Sequence, residues 1–592
     1  MNKNTLKFSL FIAWKTIFRY SAIPATLNII LSVLCGLTTP LLVLFTAMFI
    51  DSASEYVAGA VAGNRLLFSL ALLFALQIFN AICNPLNNLA QTAVENKLRK
   101  QLRLLLLGKR ARLEYKNIEN HDTWDLVDRV ASNLETDGFT QLNNNIAKSV
   151  RIIVQLAGTL IVLAAQVWWA ALVIVVVTLP LIVFSLKRGR VLYEMYRKVS
   201  AMTRLMKYYS TILTNREAAA ERILFGFTNT IDERFRQNHK KRTNLILKTI
   251  TYETGYSKIG STGLILCGLF MMIILLQPVA DGRITVGMYI SLTGVLMSVI
   301  NSISWQIKYL MESFACNIEY FRDFSQFMNL GEQPGVLDVS GETLEFRSIE
   351  FRSVAFSYPG MQTKVFDNLN LIFERGKHYA VVGINGAGKS TMVKLMTGLY
   401  AVTGGEILLN GKNINKYSFR DLMSIYSIVY QDFAKYSVSL RDNICFGASG
   451  TGVAAAVTSA GLDELVAKLP EGIATQLGRL TDNGADISGG EWQKIAIARA
   501  LFSRAPVKVL DEPTAALSPM AESEMFAMFA ENTGYDTTIM ISHRLGSTKL
   551  ADCVLVFDKG GIAEQGSHTE LMKKNGVYAE MFESQRSWYA EE

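Results

Sequence analysis

Residues 378–399 read HYAVVGINGAGKSTMVKLMTGL, and this stretch decides the fold of the second half of the chain. An apolar run leads into a glycine-rich loop, and a helical pattern follows the loop. Four residues fit the spacing GxxxxGK followed by S or T, namely Gly383, Gly388, Lys389 and Ser390. In this pattern backbone N–H groups wrap the phosphates, the lysine reaches the terminal phosphates and the hydroxyl holds Mg²⁺. The stretch therefore predicts a site for a nucleoside triphosphate.

Short apolar runs alternate with helical patterns from residue 346 onward, which favours an α/β fold of the P-loop NTPase type. One run, VKVLDEP at 507–513, ends in Asp511 and Glu512. An acidic residue at the carboxyl end of a neighbouring strand can hold Mg²⁺, and the next carboxylate can polarise the attacking water. His543 follows another apolar run. In this setting we expect His543 to contact the γ-phosphate, whereas a lone histidine is more often structural.

A second segment with phosphate-binding character, DISGGEWQKIAIARALF, occupies residues 486–502. Ser488 and Glu491 fit the capping box S-x-x-E, which by itself explains a serine at the start of a helix. It does not explain Gly489 and Gly490, because glycines weaken a helix start unless something must approach the backbone closely. Bare N–H groups at the positive end of a helix suit a phosphate. The chain thus carries two separate segments of this kind.

The first half of the chain is built differently. Half of the 592 residues are hydrophobic, and the chain is too long for a single core. A membrane span needs roughly 20 mostly apolar residues to cross about 30 Å of hydrocarbon. Six stretches meet this requirement, at about 22–50, 65–90, 146–167, 169–187, 258–278 and 285–307. We therefore predict an α-helical six-span transmembrane domain at 1–330, a linker at 331–345 and an α/β domain at 346–592.

Positive charge is shared unevenly between the segments that join the spans. It collects in the long segments after the second and fourth spans, which contain Lys97, Arg99, Lys100, Arg103, Lys109, Arg110, Arg112, Lys187, Arg188, Arg190, Arg197 and Lys198. Cytoplasmic segments collect Lys and Arg, so both long segments, both termini and the α/β domain are predicted to lie in the cytosol, with the spans in the plasma membrane. The helical pattern of the two long segments predicts that the membrane helices extend into the cytosol. The net charge of +8 then reflects topology, and no nucleic-acid partner is predicted.

The sixth predicted span is the most polar, with Ser291, Thr293, Ser298, Asn301, Ser302 and Gln306. Such residues either form helix–helix hydrogen bonds or line a cargo cavity. For the second alternative we predict a cavity wall that contains Ser291, Ser298, Asn301 and Ser302 together with Tyr289 and Trp305. This wall suits an amphipathic peptide or drug better than a polyanion. No acidic or basic residue lies at mid-depth in the spans, which disfavours an ion-coupled carrier.

The order and spacing of these features resemble an ABC transporter, with residues 345–580 similar to its nucleotide-binding domain and the spans similar to the membrane half of an exporter. GINGAGKS resembles the Walker A motif, VKVLDEP the Walker B motif and ISGGEWQ the signature motif. The resemblance implies that Gln431 in VYQDF is the Q-loop glutamine and His543 the switch histidine. It also implies that Tyr358 in VAFSYP stacks on adenine.

The resemblance further implies ATP and Mg²⁺ as cofactors. It implies ATP contacts from Tyr358, Gly383, Asn385, Gly386, Ala387, Gly388, Lys389, Ser390, Thr391, Ser488, Gly489, Gly490 and Glu491. The implied metal-site residues are Ser390, Gln431 and Asp511, and the implied catalytic residues are Glu512, His543 and Gln431. In the family the Walker A motif of one subunit faces the signature motif of the other, so the chain is expected to pair with a second copy of itself, or with a different partner chain.

Three positions depart from the family pattern. Glu491 stands where glutamine is commoner, and Lys508 lies in the Walker B strand where an apolar residue is usual. Ser518 stands where the D-loop normally has an aspartate that shapes the dimer contact. The last change puts the coupling between the two ATP sites in doubt, but it leaves Glu512 and His543 intact.

The cargo is indicated by resemblance alone. Spans fused ahead of the nucleotide domain are typical of exporters. The segments LEYKNIENHDTWDLVDRV (113–130) and NREAAAERILFGF (215–227) resemble the coupling regions of exporters of lantibiotic-type peptides. A flippase for lipids or lipid-linked sugars is the nearer alternative, and it should show Arg or Lys in the membrane cavity. A soluble ABC-type ATPase of chromosome maintenance is the distant alternative.

Overall fold

The structure is a computed structural model, and it describes the whole chain except residues 1–2, 61, 133–137, 170, 173–175, 177–194, 196–197, 200–201, 216–217, 337–343, 447, 449, 480–482, 513–528, 530–535 and 591–592. The chain forms two compact units. One comprises Met1–Arg110 and Asp125–Asn329, and the other comprises Ala111–Trp124 and Leu330–Glu592. Residues 111–124 therefore belong to the unit that carries the nucleotide motifs, although membrane helices flank them in sequence.

The described part of the chain before residue 330 is helical. Its helices are α1 (Lys3–Val57), α2 (Gly63–Ala111), α3 (Tyr115–Glu119), α4 (His121–Ser132), α5 (Gly138–Gln166), α6 (Ala219–Leu224), α7 (Thr228–Ile274), α8 (Leu276–Ala280), α9 (Val286–Asn301) and α10 (Lys308–Met328). Residues 202–214 are also helical. A π-helix at Ser302–Ile307 joins α9 to α10.

Helix α2 contains 49 residues, far more than the roughly 20 that cross a bilayer, and it continues beyond the predicted second span to Ala111. This confirms the predicted extension for the segment after the second span. Among the described residues, three stretches are long and apolar enough to span a membrane: Ile12–Val57, Gly63–Ala111 and Gly138–Gln166. Shorter apolar stretches occur at Gly268–Ala280 and Val286–Ser298. Most of the predicted span at 169–187 lies outside the described residues.

Helices α1 and α5 approach each other closely at glycines. A Cβ added at Gly158 would lie 2.7 Å from Cγ of Pro40, and one added at Gly36 would lie 2.8 Å from the carbonyl oxygen of Arg151. Small residues allow this spacing between membrane helices. A buried core joins α1, α2, α5 and α10 through Ala13, Ile17, Ala25, Val94, Leu98, Leu102, Phe139, Leu142 and Phe321.

The second unit contains two sheets. Its strands are β1 (Ser348–Phe356), β2 (Phe366–Glu374), β3 (His378–Gly383), β4 (Gly404–Leu409), β5 (Lys412–Asn413), β6 (Tyr426–Val429), β7 (Val507–Asp511), β8 (Thr537–Ile541), β9 (Cys553–Asp558) and β10 (Gly561–Gly566). The antiparallel sheet has the order β2-β1-β4-β5, and the larger sheet has the order β10-β9-β3-β8-β7-β6. In the larger sheet all neighbours are parallel except β10 and β9.

The helices of this unit after residue 330 are α11 (Lys389–Met396), α12 (Phe419–Ser424), α13 (Leu440–Cys445), α14 (Val453–Ser459), α15 (Asp463–Lys468), α16 (Gly489–Phe502), α17 (His568–Lys574) and α18 (Val577–Ala590). The prediction that the Asp511 strand is a neighbour of the P-loop strand is wrong. The strand that ends at Asp511 is not the neighbour of β3, because β8 lies between them. The carboxyl ends of these parallel strands still meet at one edge of the sheet, and that edge carries the site.

Candidate nucleotide site

The loop between β3 and α11 depends on glycine at two positions. Gly383 has φ of +149°, and a Cβ added there would lie 2.2 Å from the carbonyl oxygen of Phe557. Gly388 has φ of +101°, and its added Cβ would lie 2.5 Å from the ring of Phe366. Both positions combine a left-handed backbone with a contact that no side chain tolerates. The chain's own packing therefore requires the glycines of the Walker A pattern.

Lys389 is the first residue of α11 and is almost fully buried. Its Nζ donates to the carbonyl oxygens of Gly383 at 2.9 Å and Ile384 at 3.2 Å. Burial lowers the pKa of Lys389, and the carboxylates of Glu512 and Asp511 act in the opposite direction. The amine is thus held against the loop that the sequence predicts to bind phosphates.

Ser390 and Asp511 come together although their segments are distant in sequence. The Oγ of Ser390 donates to Oδ1 of Asp511 at 3.3 Å. Asp511 is 5% exposed, and this burial raises the pKa of its carboxyl group, against the lowering effect of the Ser390 hydrogen bond. A hydroxyl and a carboxylate side by side are oxygen donors of the type that Mg²⁺ prefers. The residues present therefore fit the predicted metal.

Glu512 and His543 meet at the same edge of the sheet. Nε2 of His543 pairs with Oε1 of Glu512, and the backbone N–H of Glu512 donates to the carbonyl oxygen of Ile541 at 3.0 Å. Glu512 has φ of +48°, a conformation that costs a non-glycine residue about 1–3 kcal/mol and persists where the surroundings impose it. Such strain is concentrated at functional sites.

Tyr358 is fixed beside α11. Its hydroxyl shares a hydrogen bond of 2.9 Å with Oγ1 of Thr391. Its ring packs edge-on against Phe356 and Tyr400, with centroids 5.0 and 5.3 Å apart. The structure thus places Tyr358 next to the helix that begins at the P-loop lysine.

The remaining P-loop residues and Gln431 are less constrained. Asn385 and Gly386 are exposed, whereas Ala387 is buried. Gln431 is exposed in the turn after β6, which pairs in parallel with β7. Gln431 therefore lies at the same edge of the sheet as Asp511. Within the described part of the chain, its side chain makes no hydrogen bond to the other predicted site residues.

The signature segment lies at the start of α16, where the predicted capping box is confirmed. Oγ of Ser488 accepts from the N–H of Glu491 at 3.3 Å, and Oε2 of Glu491 accepts from the N–H of Ser488 at 2.7 Å. Apart from the chain neighbours and the backbone of α16 itself, no atom of the described chain lies within 4 Å of a Cβ added at Gly489 or Gly490. Unlike the P-loop, this segment does not need its glycines for packing within the chain.

The unusual Lys508 has a structural explanation. Its side chain is 3% exposed, and Nζ donates to the carbonyl oxygens of Ala500 at 3.0 Å and of Ser503. These carbonyls lie at the C-terminal end of α16, where a cation is favourable. Burial lowers the pKa of Lys508, while Asp536 acts in the opposite direction. Ser518 lies outside the described residues.

Comparison with known proteins decides the family. The family described as "ABC transporter transmembrane region" matches residues 25–303, and the family described as "ABC transporter" matches residues 366–515. The subtilin transport ATP-binding protein SpaT of Bacillus subtilis is 30% identical over 490 residues, which cover 82% of this chain and 80% of the relative. The chain belongs to the ABC transporter family. It is an ATP-hydrolysing exporter and a multi-pass membrane protein.

Other relatives of this ABC exporter cover nearly its whole length. The ATP-dependent lipid A-core flippase of Pseudomonas putida is 28% identical over 94% of this chain and 92% of its own. The nisin transport ATP-binding protein NisT of Lactococcus lactis subsp. lactis is 26% identical over 89% of this chain and 88% of its own. A solved bacterial Atm1-family ABC exporter with ATP bound matches the fold with a TM-score of 0.78 at 22% identity, over 95% of this chain and 98% of that one. These matches exclude the soluble ATPase of chromosome maintenance.

In the ABC exporter, residues 111–124 contact α11 through a cluster that sequence reasoning did not resolve. Oε1 of Glu119 accepts from Nζ of Lys394 at 2.7 Å, and Oε2 accepts from the hydroxyl of Tyr400. Nζ of Lys394 also lies 5.6 Å from the ring centroids of Tyr115 and Tyr358. Burial tends to raise the pKa of Glu119, but the bonds from Lys394 and Tyr400 outweigh it and hold that pKa below its usual value. The sequence signal was only the resemblance of this segment to a coupling region.

Polar groups in two regions of the membrane unit bear on the predicted cargo cavity. In the sixth predicted span, Oγ of Ser291 is buried without a hydrogen-bond partner in the described structure, and the hydroxyl of Tyr289 donates to the carbonyl oxygen of Met272 at 3.2 Å. The side chains of Asn301 and Ser302 lie outside the described set. Elsewhere, Nη1 of Arg151 donates to Oδ1 of Asn84 at 3.0 Å. Sequence reasoning missed Arg151, because only the contact between helices distinguishes it from a surface cation.

Proposed function

We propose that two copies of this exporter form two composite ATP sites and move an amphipathic peptide or drug from the cytosol outward by alternating access. The observation that carries the proposal is the contrast between a P-loop that is complete within the chain and a signature segment whose glycines face open space. We also propose the domain bounds 1–330, 331–345 and 346–592, with both termini in the cytosol.

In the proposed site the P-loop backbone and Lys389 bind the phosphates, and Tyr358 stacks on adenine. Ser390, Asp511 and Gln431 would hold Mg²⁺, which would supply positive charge to neutralise the negative charge of the phosphates. The approach of Ser390 to Asp511 supports this assignment. The raised pKa of Asp511 is consistent with a carboxyl group that needs a cation to stay ionised in a buried position.

We assign the hydrolytic step to Glu512 and His543. The carboxylate of Glu512 polarises the attacking water, and the imidazole of His543 contacts the γ-phosphate. Their direct contact and the strained backbone of Glu512 support a shared role. Each copy carries both groups, which favours a homodimer with two working sites.

Two exposed features support pairing with a second copy. Gly489 and Gly490 leave the N-terminus of α16 open to a phosphate. The tip of the second coupling-type segment is apolar and unusually exposed, with Ile223, Leu224 and Phe225 at 76%, 81% and 75%. Contiguous exposed apolar residues mark interaction sites. We propose that the nucleotide domain of the second copy covers this tip.

A test of the composite site uses two differently tagged copies, purified together by both tags. When Lys389→Ala and Gly490→Asp are on one copy and the other is wild type, both composite sites are damaged. When each copy carries one of the two changes, one composite site is intact. We expect more ATP hydrolysis from the second arrangement. The opposite order would mean that each chain closes its own site, and failure to isolate tagged pairs would argue against the homodimer.

The peptide part of the proposal rests on the similarity to SpaT and NisT, which are named as transport proteins for subtilin and nisin. The buried, unpartnered hydroxyl of Ser291 supports a cavity wall with scattered hydrogen-bonding groups, together with Tyr289, Ser298, Asn301, Ser302 and Trp305. Such a wall suits an amphipathic cargo.

Arg151 favours a second candidate, a flippase for a phosphorylated lipid. Its guanidinium lies among the membrane helices, and lipid A-core flippases are among the relatives. The two candidates are separated by ATPase measurements in lipid nanodiscs with cationic peptides, drugs and lipid-linked sugars. We expect stimulation by peptides or drugs, and little change in it when Arg151 is replaced by glutamine. Stimulation by the sugars alone, lost in Arg151→Gln, would overturn the peptide proposal.

A further inference from the structure

Helix α18 packs firmly against the turn that follows His543. Tyr578 of α18 is fully buried, and its hydroxyl forms hydrogen bonds of 2.7 Å with both Oγ1 of Thr548 and Nδ1 of His568. Leu545, which follows the histidine by two positions, is buried in the same apolar cluster as Tyr578. This face of α18 is therefore a rigid support for the turn.

Gln585 lies on that face, about two helical turns after Tyr578. Its Nε2 donates to the carbonyl oxygen of His543, and its Oε1 accepts from the N–H of Leu545 at 2.8 Å. One planar amide thus satisfies a backbone acceptor and a backbone donor on the two sides of Arg544. Because both bonds come from one rigid group, they fix the direction of the backbone as well as its position.

Gln585 binds the backbone of His543, and the ring of His543 pairs with Glu512. The backbone at residue 543 sets where the Cβ of His543 points, and therefore where the imidazole can reach. We propose that Gln585 is a positioning residue for ATP hydrolysis. By binding the backbone of the turn, it holds His543 where the imidazole can reach Glu512. The inference rests on the hydrolytic roles proposed above for those two residues.

The test begins with Gln585→Met, which keeps the length of the side chain and removes both hydrogen bonds. We expect the kcat for ATP to fall roughly 10-fold with an unchanged KM, since a misplacement of about 1 Å at a catalytic group can cost up to 10²-fold. Gln585→Glu keeps the acceptor for Leu545 but sets a carboxylate against the carbonyl of His543, and it should be impaired at least as much. The matched control is Ser584→Ala, an exposed change one position earlier that should alter neither value.

A double-mutant cycle separates positioning from general stability. In a His543→Ala background, Gln585→Met should cause little further loss in single-turnover hydrolysis, because both changes act through the same imidazole. Equal losses in both backgrounds, or an effect on KM alone, would overturn the inference. Normal turnover of Gln585→Met beside an impaired His543→Ala would also refute it, but would leave the proposed function standing. Normal turnover of His543→Ala would refute the hydrolytic role itself.

Discussion

The P-loop and the signature segment both present backbone N–H groups at the start of a helix, yet Gly383 and Gly388 of the first stand in surroundings opposite to those of Gly489 and Gly490 in the second. At Gly383 and Gly388 an added Cβ would strike Phe557 and Phe366 at 2.2 and 2.5 Å. At Gly489 and Gly490 it would meet nothing within 4 Å. The first pair of glycines is required by the fold of its own chain, whereas the second pair is free of that requirement. The difference indicates that Gly489 and Gly490, unlike Gly383 and Gly388, have no role in packing within the chain, which is consistent with the proposed contact with a second copy.

The strongest way to test the P-loop side is Glu512→Gln. An amide cannot polarise water as a carboxylate does, so ATP turnover should fall by about 10²–10⁴-fold while ATP binding persists. Turnover is measured by phosphate release and binding by a fluorescent ATP analogue. Near-normal ATP turnover in Glu512→Gln would mean that Glu512 does not polarise the attacking water. Lys389→Ala is the complementary change and should instead weaken nucleotide binding.

The glycine comparison itself predicts that one type of substitution has two different outcomes. Gly388→Ala combines a left-handed backbone with a clash against Phe366, and should destabilise the protein by about 2–4 kcal/mol. Gly490→Ala meets open space and replaces glycine in a helix, so stability should be unchanged or slightly higher. ATP hydrolysis should nevertheless fall in Gly490→Ala, because the added methyl group obstructs the phosphate of an ATP molecule bound to the P-loop of a second copy.

Both variants are compared by thermal unfolding of the full-length protein in nanodiscs and by ATPase rate. A lower melting temperature for Gly490→Ala would mean that the signature glycines serve the fold. Full ATPase activity in a stable Gly490→Ala variant would mean that nothing approaches that backbone closely.

How far the sequence predicts this site depends on whether a motif is contiguous. The P-loop, the capping box at Ser488 and the pair Asp511 and Glu512 follow from spacing along the chain, because local geometry determines each of them. The bond from Gln585 to the turn at His543 does not, since it joins elements that are distant in sequence and leaves no periodic signal. The insertion of β8 between β3 and β7 was missed for the same reason: strand order depends on packing, not on spacing.

The P-loop side also receives a contact that the signature side lacks among the described residues. Glu119 binds Lys394 and Tyr400 on and after α11, and Lys394 in turn lies over the ring of Tyr358. Glu119→Gln should therefore weaken the link between residues 111–124 and the nucleotide site. We expect cargo-stimulated ATPase to fall several-fold with little change in the basal rate. Asp122→Asn, an exposed change on the next helix, is the control.

The same link has a defined pH dependence. The pKa of Glu119 is held below its usual value, so the ionised contact is fully present above the ordinary glutamate pKa and is lost as the pH falls through the lowered value. The difference between wild type and Glu119→Gln should thus be constant near neutral pH. An equal loss of the basal and the cargo-stimulated ATPase rates in Glu119→Gln would mean that Glu119 stabilises the unit in general and has no role in coupling.

The smallest expected effect concerns Lys508, which anchors the far end of the signature helix to β7. Its Nζ binds the carbonyl oxygens of Ala500 and Ser503, a favourable arrangement at a helix C-terminus, but burial lowers its pKa. These effects oppose each other, so Lys508→Met should change stability by only about 1 kcal/mol near neutral pH. Lys494→Met is the matched control, because Nζ of the exposed Lys494 also donates to a carbonyl oxygen, that of Gly461 at 3.1 Å.

The lowered pKa of Lys508 gives the stability of the protein a defined pH dependence. Between the lowered pKa of folded Lys508 and the ordinary lysine value of about 10.4, the unfolded chain binds more protons at this position than the folded one. Wild-type stability should therefore rise relative to Lys508→Met as the pH increases toward the ordinary lysine value, because the penalty for burying the charge disappears. Melting temperatures of the two proteins across this range measure the difference. A flat result for Lys508→Met would mean that the folded protein holds the charge of Lys508 as well as water does, so that burial carries no net penalty.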